Sequence, residues 1–359
     1  MTHDDPLILL ARENPIAADQ LPGAESEYGR RLKARIMLAD VGERSHGSRW
    51  RTRRWPAVAA VAAIVVTAIA LPHALSGSKL GASPARAALD RAAKATLGSA
   101  TAPAGRYAYS RAETLLAAES TDDPPYTVLV ARPIETWLAT DGSGLIREGP
   151  GKLVFPGPRD RARWLADGSP RLAGAAGDQP FRAETPGLAA QARRNPDDLD
   201  AVTLDALMNA PAALPTDPDQ LQRLVHAYAK TKDPPIEGAM FNQLTELASE
   251  SWGAAPLRAA AYRVLARLPG VTLVGDLRDP LGRRGVGLDA PIGYSHWERT
   301  RLIIDPRTGD VLAQQTVLLR AADWIDAAPG AIIDQMVYVR WGWADELGKP
   351  SAGTEAMTR

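Results

Sequence analysis

The chain has 359 residues and no cysteine. That one absence removes disulfides, thiolate metal sites and cysteine nucleophiles together, and it leaves an oxidising compartment tolerated without being required. Histidine is scarce, with five residues, and beyond residue 55 only His73, His226 and His296 occur. Net charge is absent as well: 42 Lys and Arg offset 42 Asp and Glu, so no global field recruits nucleic acid, and none is expected as a partner. No Gly-x-Ser-x-Gly elbow, phosphate-binding loop or His-Glu-x-x-His motif is present. Long uncharged apolar runs are missing too, with one exception.

The exception is residues 56–75, directly behind a basic cluster of Arg44, Arg49, Arg51, Arg53 and Arg54. As a helix the run rises roughly 28 Å at about 1.5 Å per residue, close to the roughly 30 Å of bilayer hydrocarbon. Trp50 and Trp55 stand where an interfacial aromatic belt would lie, and the arginines should stay cytoplasmic. Two rivals exist. An Ala-rich run also suits a buried soluble helix, and Ala85-Arg86-Ala87 resembles a small-residue cleavage site. Secretory signals usually occupy about 15–30 residues in all, whereas here the run itself begins only at residue 56. The expectation is therefore an uncleaved single-pass anchor in the cell membrane, N-terminus cytoplasmic, with the bilayer contacted through residues 56–75.

The expected organisation is a cytoplasmic leader over 1–55, a transmembrane helix over 56–75, a linker over 76–84, an extracytoplasmic α+β domain over 85–347 and a disordered tail over 348–359. In the leader, Glu25–Asp40 places acids in the first turn and bases later, as a helix dipole favours. Tyr28, Leu32, Arg35, Ile36 and Ala39 share one side of that helix. One stripe cannot form its own core. Three fates stay open: docking in a cytoplasmic partner's groove through Tyr28, Leu32 and Ile36, lying on the inner leaflet, or fraying.

Beyond the linker, Pro84 opens a helix through Ala85–Leu97 that stops at Gly98. Strands are expected over Arg106–Leu116 and Tyr126–Thr140, with Pro133 implying an edge, a bulge or a break. Asp141-Gly142-Ser143-Gly144 then turns into Leu145–Glu148. Residues 149–200, rich in Gly, Pro, Asp and Arg, read as a long surface excursion. Helices follow at Leu204–Met208, at Gln220–Ala229 behind an Asp217-Pro218 cap, at Phe241–Ser251 and at Pro256–Leu268. Five strands close the chain: Val271–Asp276, Gly285–Ala290, Glu298–Asp305, Val311–Leu319 and Ala331–Trp343. The turn Asp305-Pro306-Arg307-Thr308-Gly309-Asp310 sets proline early and glycine where positive φ is needed. Strands, then helices, then strands imply an α+β domain with a curved antiparallel sheet and packed helices.

Three segments carry a resemblance: Leu268-Pro-Gly-Val-Thr-Leu-Val-Gly275, Asp279-Pro-Leu-Gly-Arg-Arg-Gly-Val286 and Leu302-Ile-Ile-Asp-Pro-Arg-Thr-Gly309. With the layout of the whole chain, they are similar to an actinobacterial family of single-pass membrane-anchored proteins of unknown function. Some members resemble the membrane-bound partners of sigma factors in arrangement. The resemblance is most specific over roughly 256–320 and carries no catalytic residues. The zinc-binding anti-sigma domains use a His-x-x-x-Cys-x-x-Cys set, and the leader offers only His3 and His46. The order of elements also resembles the half-barrel folds of periplasmic lipoprotein carriers and envelope sensors, an analogy of architecture alone.

Candidate chemistry is sparse. Ser76-Gly-Ser-Lys79 has the Ser-x-x-Lys spacing but lies in the linker, and Gly282-Arg-Arg-Gly285-Val-Gly287 has the wrong spacing for a dinucleotide fingerprint. His296 and Glu298 would share a strand face, a polar pair on a solvated sheet or acid/base equipment. Asp305 and Asp310 flank a turn, where Asp serves the backbone more often than calcium. Trp137, Trp297, Trp324, Trp341 and Trp343 fall on strands or their ends: core and rim aromatics, or the lining of a groove for acyl chains or an extended peptide. No catalytic residue, metal site or cofactor is expected. The expectation is a non-enzymatic envelope protein with an outer sensing domain and a leader contacting a regulator such as a sigma factor. A lipid or lipoprotein carrier is the alternative.

Overall fold

In the computed structural model of the protein the described residues are 50–51, 83–98, 105–120, 124–139, 142–172, 177–181, 214–231, 235–250, 254–290, 297–350 and 355–356. The chain divides into two compact units, Met1–Gly47 and Ser48–Arg359, and the described residues all belong to the second. The Tyr28, Leu32 and Ile36 stripe, the run 56–75 and the helix expected at Leu204–Met208 lie outside them.

The described strands are β1 (Trp50–Arg51), β2 (Tyr107–Ser120), β3 (Thr127–Ala139), β4 (Gly144–Glu148), β5 (Lys152–Val154), β6 (Gly177–Phe181), β7 (Thr272–Arg278), β8 (Arg284–Asp289), β9 (Glu298–Ile304), β10 (Val311–Leu318), β11 (Ile332–Ala344) and β12 (Glu355–Ala356). The described helices are α1 (Pro84–Gly98), α2 (Pro158–Ala166), α3 (Pro218–Ala229), α4 (Ile236–Glu250) and α5 (Ala255–Leu265). All the strands join one antiparallel sheet whose main path runs β6-β4-β3-β2-β11-β10-β9-β8-β7, with β1 on β2, β5 on β3 and β12 on β11. The path ends on β6 and β7, so the sheet is open. The α+β class with a large antiparallel sheet is as expected.

The C-terminal meander follows directly from local sequence. Its five strands begin and end within about two residues of the turn signals. Helix α3 starts as its cap predicts, with the Asp217 carboxylate accepting the amides of Asp219 at 3.0 Å and Gln220 at 2.9 Å. Helices α1, α3, α4 and α5 then share one apolar core with β8–β11, through Leu89, Leu221, Phe241, Leu257, Leu288, Leu302 and Val337 among others. The β9–β10 turn docks into that core. Gly309 takes φ +74°, and its carbonyl accepts from Tyr262 Oη at 2.6 Å and from Thr96 Oγ1 and Arg258 Nη2 at 3.4 Å. Arg258 also pairs with Asp310 at 2.8 Å. One turn thereby ties α1 to α5.

The N-terminal strands are less local. β3 is one continuous interior strand despite Pro133, because the interruption falls on its neighbours. β4 covers Ile134–Leu138 and β5 covers Leu129–Ala131. The Pro133 carbonyl accepts from the Gly149 amide at 2.9 Å, so the missing N–H faces that same gap and costs no ladder bond. Part of the 149–200 excursion is tied down by one acid. Asp160, fully buried at the start of α2, accepts amides of Asp326 at 2.7 Å and Thr127 at 3.3 Å. Burial pushes its carboxyl up, and those amides oppose the shift.

The membrane-anchored, single-pass layout is corrected here. Among the described residues no helix is long and apolar enough to cross a membrane. Trp50 and Arg51, expected on the cytoplasmic side, instead pair with Ser120 and Glu119 of β2. Residues before the apolar run thus belong to the same sheet as residues after it. Hydropathy weighs the run itself and is blind to backbone pairing of its flanks. The expected tail from 348 is also tied down in part: Gly348 and Lys349 supply carbonyls to Arg147 and Trp137, and β12 pairs with Arg340 and Trp341.

Candidate binding surface

Alternation gives β2, β3 and β4 two distinct faces. Ala112, Ile134 and Ile146 belong to the main core. The opposite face carries Tyr109, Trp137 and Leu145 at one end and Leu115, Leu129 and Ala131 at the other, each a small cluster of its own. Between the clusters the register sets side chains in a row of alternating charge. Arg111 lies opposite Glu135, Glu135 opposite Arg147, and Arg147 opposite Asp178 of β6.

The row is held by hydrogen bonds and ion pairs, some within it and some to flanking side chains. Arg147 grips Asp178 with Nε at 2.6 Å and Nη2 at 2.9 Å, and its Nη1 stands 3.8 Å from Glu135. Tyr109 Oη donates to Glu135 at 2.5 Å, and Arg111 pairs with Glu113 at 3.1 Å. The Arg147 guanidinium also lies 5.0 Å over the Trp137 ring, which itself meets Tyr109 at 5.1 Å. Burial, then the Glu135 bond, pushes the Tyr109 hydroxyl above its ordinary range. Hydrogen bonding to Arg147 holds the Asp178 carboxyl below its own.

A C-terminal strap closes one end of this face. Trp137 Nε1 donates to the Lys349 carbonyl at 3.3 Å, and Arg147 Nη1 to the Gly348 carbonyl at 3.0 Å. The strap leaves Trp137 fully buried, while Arg111, Arg147 and Asp178 stay about half-exposed. Side chains that are held in place, charged and wet present a preformed pattern to another polar surface.

The residues singled out in the sequence are not gathered into one site. His296 lies outside the described residues, as do Ser76–Lys79. Glu298 is buried and acts on Asp334 of β11, whose carboxyl burial and the Glu298 charge push up to about 8. Asp305 is held by Arg307 at 2.9 Å and Asp310 by Arg258. Both aspartates serve the turn. Gly282 and Gly285–Gly287 belong to the β7–β8 turn and to β8. Among the described residues no group of three His, Asp or Glu could hold a metal. The tryptophans are scattered: Trp137 is core, Trp324 packs by Leu318 and Ile325, Trp341 packs on the main core, and Trp297 lies under Arg320 at 4.7 Å. These four do not share a cluster. Arg111, Glu135 and Arg147 were missed, though charges two residues from the buried Tyr109, Trp137 and Leu145 on strands were the available signal.

No family model matches the chain, and no curated protein matches it. Solved structures align weakly. The crystal structure of MucB in complex with MucA(peri) covers 77% of this chain and 62% of that one at 14% identity, with a TM-score of 0.21. The complex structure of Pseudomonas aeruginosa MucA/MucB covers 77% of this chain and 64% of that one at 13% identity, with a TM-score of 0.22. The chain spans less than two thirds of the length of either, and no residue role is transferred from them.

Proposed function

We propose that this chain is a non-enzymatic envelope sensing protein whose β2–β3–β4–β6 face binds a segment of another protein. The observation that carries the reading is the alternating row Arg111–Glu135–Arg147–Asp178 set between two apolar clusters on the sheet face turned from the main core. Fixed charges of both signs favour a partner by their order rather than by net attraction. The finer reading adds a regulator, such as a sigma factor, met by the Tyr28, Leu32 and Ile36 stripe. Its support is the amphipathic pattern together with the family resemblance in residues 256–320. The lipid-carrier alternative asks for aromatics gathered along one groove, and here they are divided among separate clusters.

The test is capture of partners by the immobilised full chain from lysate of its source organism, read by mass spectrometry. Three baits are compared: wild type, Arg147→Glu and Ile36→Asp. One protein recovered by wild type and reduced about tenfold by Arg147→Glu supports the sheet face. A regulator lost only with Ile36→Asp supports the stripe. Identical recovery by all three baits rejects both surfaces.

A further inference from the structure

Strand β7 is unlike every other long strand in the sheet. It closes the path, and no described residue pairs with its outer edge. Apart from Gly275 and from Leu277, which packs on the main core, its residues are exposed, and Leu273 (37%), Val274 (40%) and, in the following turn, Leu281 (49%) are among the few exposed large apolar side chains of the described residues. A free edge with apolar side chains is a template for another strand.

The ladder fixes which peptide groups face outward. The Asp279 amide donates to the Arg283 carbonyl at 3.0 Å and the Asp279 carbonyl accepts from the Gly282 amide at 2.9 Å, so the peptide groups of Asp279 face the β7–β8 turn and β8. By alternation Leu277 also faces β8, and the peptide groups of Asp276 and Arg278 point to the free edge. Across a new antiparallel ladder the outward-facing residues form the hydrogen-bonded pairs, and the residues between them form the non-hydrogen-bonded ones. Asp276 and Arg278 lie two apart on one face, both exposed, and neither has an ion-pair partner among the described residues. A two-fold axis at Asp276 or at Arg278 sets like charge against like. An axis at Leu277 sets Asp276 of each copy opposite Arg278 of the other, twice. It also brings Leu273 of each copy towards the turn that carries Leu281 of the other. Gly275, at φ +109° beside a register shift, limits the ladder on its N-terminal side.

We propose that β7 is a homodimerisation edge, pairing antiparallel with β7 of a second copy about an axis at Leu277. The contact is isologous and closes on itself. It continues the sheet from one protomer into the next without using the β2–β3–β4–β6 face.

Sedimentation velocity of the full chain across a wide concentration range tests this. The wild type shows a monomer–dimer equilibrium. Asp276→Arg and Arg278→Asp each make both cross-strand pairs repulsive, and each weakens self-association by about tenfold or more. An equimolar mixture of the two variants restores the dimer, because all four charges are then complementary. The doubly exchanged chain restores it as well. A monomer at every concentration overturns the proposal. So does a dimer indifferent to the single changes, or a mixture that fails to recover.

Discussion

The two halves of the sheet are built from the same antiparallel strands but hold together differently. In the C-terminal half, four helices and β8–β11 share one continuous apolar core, and inside it the Gly309 carbonyl gathers Tyr262, Thr96 and Arg258. In the N-terminal half the second sheet face breaks into two small clusters parted by charge. One half turns its surfaces to a continuous core, and the other leaves on its second face the charged row that the proposed binding would use. If so, substitutions should act globally in the first and locally in the second.

The sharpest way to break this contrast is Gly309→Ala. An added Cβ would stand 2.1 Å from Thr96 Oγ1 and 2.5 Å from the Ala92 carbonyl, at a φ that disfavours a side chain. Denaturant unfolding should show a loss of about 3 kcal/mol or more. A loss under about 1 kcal/mol would mean that the turn shifts freely and the core is looser than described. Asp334 offers a second test. Its folded pKa, about 8, lies above its unfolded value, so stability is full at low pH and falls as pH rises from about 4 towards 8. Asp334→Asn should flatten that slope and gain ~1 kcal/mol or more near pH 8. An unchanged pH slope in the variant would assign the dependence elsewhere. The smallest effect belongs to the open half. Arg147→Ala should cost under ~1 kcal/mol, because its ion pairs are about half-exposed. A cost above ~2 kcal/mol would make the charged row structural and erase the contrast.

What could be read from the sequence follows the same division. The Asp217 cap, the Asp305–Asp310 turn and the strand limits from β7 to β11 are local, each decided by residues a few positions apart. The excursion beginning at residue 149 was not legible. Asp160 holds it through amides at Thr127 and Asp326, and a buried carboxylate serving distant backbone has no local signature. Pro133 misled for a related reason: its fit depends on where β4 and β5 stop. The row of charges needed the register of four strands before Arg111, Glu135, Arg147 and Asp178 could be seen as neighbours. The apolar run pointed to a bilayer, while Trp50 and Arg51 answer to β2.

The seam between β2 and β11 has a consequence for synthesis. Leu115 meets Gln335, and Ala112 meets Tyr338, so the middle of the sheet is made by residues from opposite ends of the described chain. A nascent chain emerging from the ribosome holds β2 for most of translation without its neighbour. A chain stopped before Ile332 would keep β10 bare on one side as well, leaving two long hydrogen-bonding edges open at once. Premature termination would therefore yield a species prone to stick to its own kind, and folding should wait on the last long strand.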